Sequence, residues 1–128
     1  MARVLALGGI FFKSEDPMAL RNWYIETLNM PQGHEEHPSL VLPYGGDTPG
    51  YSVWGPFSKE TEYFDPSDKP YMVNLRVDNL EDMLAHLKAK NVEILGTTED
   101  EQFGKFAWIL DPEGTKIELW EAPETELG

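Results

Sequence analysis

The sequence predicts an α+β fold in which two βαβββ modules lie side by side and curl into a cup of about eight strands, one helix backing each half. Three observations carry that prediction. Two strand-cap-helix units share one plan: displaced by 63 positions, Ile10 falls on Val73, Phe12 on Leu75, Asp16 on Asn79 and Leu20 on Met83. Displaced by 64, Asp47 falls on Asp111, Gly50 on Gly114, Val53 on Ile117 and Trp54 on Glu118. Finally, each four-stranded sheet needs a helix over one face, so the other faces are left to enclose a shared hollow. That hollow is the natural place for a ligand.

Val4 to Phe12 is an apolar run broken by Gly8 and Gly9, which reads as a buried strand with room for a close approach. Asp16 then caps a helix with Pro17 in its first turn, its apolar positions being Leu20, Trp23, Tyr24, Thr27 and Leu28. Asn29-Met30-Pro31 ends it. Ser39 to Tyr44 and Tyr51 to Trp54 read as short strands around a Gly/Asp/Pro breaker. Pro56 to Lys69 reads as a linker whose aromatics, Phe57, Tyr63 and Phe64, predict that it packs.

Tyr71 to Val77 alternates Val73, Leu75 and Val77 with Met72, Asn74 and Arg76, the period of a two-faced strand. Asn79 caps a second helix with the stripe Leu80, Met83, Leu84 and Leu87. Strands follow at Val92 to Leu95 and Phe103 to Leu110. Asp111-Pro112-Glu113-Gly114 is the residue order of a tight turn, and Lys116, Glu118 and Trp120 then alternate with Ile117 and Leu119. Module boundaries of 1–65 and 66–122 follow, within one domain of 128 residues, and the acidic tail 123–128 is expected to fray.

Composition narrows the function. With 23 acidic against 10 basic residues and a formal charge of −13, the chain repels phosphate backbones and anionic membranes, so no nucleic acid or membrane partner is expected. The absence of cysteine excludes thiol chemistry and thiolate metal sites. No apolar run approaches the roughly 18 residues of a membrane helix, and the opening is too short for a secretory signal, so a cytoplasmic protein is expected. No serine lies in a nucleophile-elbow context, and no glycine loop is built for phosphate. His34 and His37, three apart, point to opposite faces of a strand and cannot share an ion there; His86 falls on the polar side of the second helix.

The segments FFKSEDPMALRNWYIETLNM, YMVNLRVDNLEDMLAHLKAKNVEI, WGPF and GKFAWILDPEGTKIELWE resemble the vicinal oxygen chelate superfamily, the glyoxalase and bleomycin resistance fold. The resemblance runs from about Leu7 to Glu121. It implies up to four metal-ligand positions, falling here on Gly9, Trp54, Met72 and Glu118. Only Glu118 offers a hard ligand, because glycine has no donor atom, indole only an N–H, and a thioether is soft. No metal or other cofactor is therefore expected.

Alternation places Phe11, Lys13, Met72, Asn74 and Arg76 on the cup face and Trp54, Trp108, Trp120 and Phe106 on or near it, and the 64-residue displacement sets Trp54 at the counterpart of Glu118. These residues predict a pocket for an aromatic or hydrophobic small molecule, with Arg76 or Lys13 fixing a negative charge where the ligand carries one. The alternative is a glyoxalase-like lyase or isomerase using Glu118 as base or as an atypical metal ligand. The apolar sheet surfaces, and the resemblance, imply a homodimer.

Overall fold

The computed structural model describes residues 1–31, 36–45 and 50–123. His34, Asp47 and the tail beyond residue 123 lie outside the described residues. The elements are β1 (Val4–Ser14), α1 (Pro17–Leu28), β2 (Leu40–Pro43), β3 (Tyr51–Ser58), β4 (Tyr71–Val77), α2 (Leu80–Ala89), β5 (Leu95–Glu101), β6 (Gly104–Leu110) and β7 (Lys116–Glu121). One mixed sheet runs in the order β2-β3-β1-β4-β7-β6-β5. Seven strands are thus present among the described residues, the first half contributing three and the second four. Residues 32–35, between α1 and β2, are not described.

The two halves share a plan at their helix starts. Asp16 accepts the Ala19 N–H at 3.1 Å, and Asn79 accepts the Asp82 N–H at 2.9 Å, so both caps satisfy the same otherwise orphaned donor. A further carboxylate reaches α2 from the last strand, where Glu121 Oε1 accepts from Leu80 N at 2.7 Å. Each half also places its first strand parallel to its last, β1 with β3 and β4 with β7, and the halves join where β1 and β4 run antiparallel.

Alternation then sorts the side chains. Val77, Leu80, Met83, Ala107, Ile109 and Leu119 form a buried cluster that seats α2 on one face of the sheet. On the opposite face Phe11, Phe64, Met72 and Trp108 make a second cluster at the base of the cup. Phe64 is fully buried, so the segment between β3 and β4 does pack, as its aromatics predict. On α1 the expected stripe is only partly right: Trp23 and Leu28 are more than half exposed, while Arg21 is buried. The face presented to β3 includes Tyr24, whose ring centre lies 4.4 Å from that of Trp54.

The Asp-Pro-Glu-Gly turn is built as the residue order predicts. Asp111 Oδ1 accepts from the N–H groups of Glu113 and Thr115 at 2.8 and 2.9 Å, and the Thr115 N–H above all holds this exposed carboxyl below its ordinary pKa. Gly114 takes φ +82, and its counterpart Gly50 takes φ +114, a region where a side chain is strained. No helix among the described residues is long and apolar enough to cross a membrane. Replacing Asn79 by Ala should cost about 1 kcal/mol of stability in urea unfolding with the denaturant slope unchanged.

Candidate ligand cup

Glu118 stands in the middle of β7 and is only 3% exposed. Three neutral donors converge on it. Asn74, its direct neighbour on β4, donates from Nδ2 to Oε1 at 2.6 Å. Trp108, directly opposite on β6, donates from Nε1 to Oε2 at 2.9 Å, and the Tyr63 hydroxyl donates to that same oxygen. Asn74 itself is held against Gly8, where a Cβ would lie 2.0 Å from its Oδ1.

Burial pushes the Glu118 carboxyl above its ordinary value, and the hydrogen bonds from Tyr63, Asn74 and Trp108 oppose that shift without overcoming it. Burial, followed by the charge of Glu118, also raises the Tyr63 hydroxyl far above the usual phenol, so it stays a donor. Lys116 does not bridge to the carboxylate. Its Nζ donates to the Tyr63 carbonyl at 2.6 Å and lies over the Tyr63 and Trp108 rings, and burial lowers its pKa.

Around Glu118 opens a cavity of about 870 Å³. Phe11, Asn74, Trp108, Glu118 and Trp120 line it, as expected from alternation. Four expected residues do not line it. Met72 is on the cup face but fully buried beneath Phe11, Phe64 and Trp108. Arg76 is drawn aside: its Nη2 donates to the Tyr51 carbonyl at 2.8 Å, and its guanidinium lies 4.1 Å from the centre of the Trp120 ring. Lys13 is half-buried at the end of β1, where its backbone N–H donates to Pro70 O. Trp54 faces the other way, against Tyr24 and Phe12.

The Trp54 error has a definite cause. Aligning the halves on Gly50 and Gly114 requires a displacement of 64, whereas the strand pairs Phe11 with Gly55 and Asn74 with Glu118 are both related by 63. One residue of slip turns every side chain of a strand to the opposite face. Tyr51, Val53 and Phe57 therefore line the cup instead, and the counterpart of Glu118 is Gly55. Tyr63 was missed because it lies in a connection without periodicity. Its only signal was an aromatic among Pro, Asp and Ser.

The residues present do not fit the metal site that the resemblance implies. A Cβ on Gly9 would stand 2.5 Å from the Val53 carbonyl oxygen, and one on Gly55 would stand 2.8 Å from the Phe11 ring, so neither position has space for a ligating side chain. Among the described residues no three His, Asp or Glu side chains are grouped to hold an ion. His86 is exposed, and the His37 Nδ1 accepts from the Ser39 N–H.

No family model matches the sequence, and no curated protein matches it. Solved structures do resemble it. Methylmalonyl-CoA epimerase from Mycobacterium tuberculosis superposes with a TM-score of 0.66 at 20% identity over 94% of this chain and 89% of that one. A variant of methylmalonyl-CoA epimerase from Streptomyces coelicolor in complex with 2-nitronate-propionyl-CoA gives 0.68 at 15% identity over 98% and 100%. A glyoxalase/bleomycin resistance protein/dioxygenase superfamily member from Vibrio splendidus gives 0.57 at 12% identity over 94% and 99%. The chain therefore has the glyoxalase/bleomycin resistance/dioxygenase fold, that of the vicinal oxygen chelate superfamily its sequence resembles.

Because the folded pKa of Glu118 is raised, the native state binds the extra proton between the ordinary value of 4.5 and the folded one. Stability contributed at this site is thus lost as pH rises through that window. The stability of wild type minus that of Glu118→Gln should fall with pH above about 4.5, at up to roughly 1.4 kcal/mol per pH unit, in paired denaturation curves.

Proposed function

We propose that the chain is a small-molecule binding protein that holds an aromatic or hydrophobic ligand in the cup without a metal ion. The observation that carries this reading is an aromatic-walled cavity of about 870 Å³ whose one deeply buried carboxylate already satisfies three protein donors. Such a hollow offers apolar surface and ring faces to a ligand, with few polar atoms to orient it. A second reading, Glu118 as the base of a lyase or isomerase, draws support from the upward shift of its pKa. It requires a substrate to use the remaining acceptor capacity of a carboxylate that has about four sites, three of them taken.

Nile red, a flat uncharged dye, should bind saturably at one site per chain, and Phe106→Ala should weaken it by roughly tenfold through lost wall area. EDTA should leave the affinity unchanged. The reading fails if no saturable site is found, or if binding disappears with EDTA and returns with one equivalent of a divalent metal.

We also propose that two copies pair through the sheet face that looks away from the cup. Leu7 and Ile10 of β1 are 52% and 48% exposed, and they stand directly opposite Leu75 and Val73 of β4. That strip lies where the two halves of the chain meet, and a two-fold dimer needs a patch complementary to itself. Sedimentation should give about twice the chain mass of 14.6 kDa for wild type and the single mass for the Leu7→Glu/Ile10→Glu variant. A monomeric wild type overturns the proposal.

A further inference from the structure

We propose that the molecule held in the cup is a flat apolar cation, a protonated amine on an aromatic body, admitted past Glu99 and Glu101 and seated on Phe103 and Phe106. The inference rests on the small-molecule reading above and narrows it to one charge class.

β5 is the edge strand of the sheet and reads Leu-Gly-Thr-Thr-Glu-Asp-Glu. Its pairing with β6 sets Glu99 opposite Phe106 and Glu101 opposite Gly104, and the period of two puts both carboxylates on the cup side while Asp100 turns away. Glu36 joins them on the lining, and no Lys or Arg lines the cavity among the described residues. Two cations of the cup face, Arg76 and Lys116, donate to the carbonyls of Tyr51 and Tyr63.

A further observation points to a ligand of this kind. Phe103 is 57% exposed at the tip of the hairpin, lining the cavity beside Glu101, which places a bare ring face next to a carboxylate. Ring faces attract cations through their quadrupole, and carboxylates at the mouth strengthen that attraction. An anion meets the carboxylates of Glu36, Glu99 and Glu101 on the lining.

Acidic residues on an edge strand have another ordinary use, keeping sheets from joining edge to edge. The two roles separate experimentally. Isothermal titration with three probes on one scaffold, 2-(aminomethyl)naphthalene, 2-naphthalenemethanol and 2-naphthoate, reads the charge preference directly. The amine should bind at least about tenfold more tightly than the naphthoate, with the alcohol between them. Its advantage should shrink to about threefold in Glu99→Gln/Glu101→Gln, and also on going from about 20 to about 500 mM NaCl.

Equal binding of all three probes overturns the cation assignment while leaving the small-molecule cup standing. Tighter binding of the naphthoate does the same. An amine preference unchanged in the double variant, accompanied only by self-association, assigns the two glutamates to edge protection and also overturns the proposal. Absence of binding by all three probes removes the cup reading itself.

Discussion

A carboxylate at the bottom of an aromatic cup is stable only if its lone pairs find donors, and much of this structure serves that requirement. Glu118 draws Asn74 from β4, Trp108 from β6 and Tyr63 from the connection between the halves. Those three residues are separated in sequence but are brought together by one pairing pattern, in which β7 lies between β4 and β6. The donors are neutral, so the charge is solvated rather than cancelled, and burial still prevails in raising its pKa. Breaking the set would leave a buried charge without its partners, which is more costly than any single hydrogen bond is worth.

The same polar knot ties the halves together. Tyr63 reaches β7 from a segment whose neighbour Phe64 is fully buried among Phe11, Met72 and Trp108. That connection therefore forms part of the floor of the cup, contributing an aromatic plug and a hydrogen bond where a mere linker would contribute length. Lys116 completes the arrangement by holding the Tyr63 carbonyl and covering its ring. Arg76 plays a comparable part at the other end, stacking behind Trp120 and bonding the Tyr51 carbonyl, so that a guanidinium stiffens two walls of the cavity.

Two glycines close the places where the resemblance, or the counterpart of Glu118, would put a metal ligand. Gly9 and Gly55 allow β1 and β3, and the Phe11 ring, to come close enough that no longer side chain fits. The cup that results is apolar in its walls and acidic at its mouth. Among the described residues no Lys or Arg lines it, whereas Glu36, Glu99 and Glu101 do.

Much of the fold was legible in the residues alone. Period-two alternation placed Phe11, Asn74, Trp108, Glu118 and Trp120 on one face, and the caps at Asp16 and Asn79 marked both helix starts, because these signals depend only on neighbours along the chain. Other features depended on contacts between distant segments. The one-residue difference between turn register and strand register turned Trp54 away from the cup and brought in Tyr51, Val53 and Phe57. Tyr63 joined the site through a non-periodic connection, and Arg76 left it for a carbonyl. Local spacing determines which face a residue occupies within its own strand, while the pairing of strands far apart in sequence decides which partner that face meets.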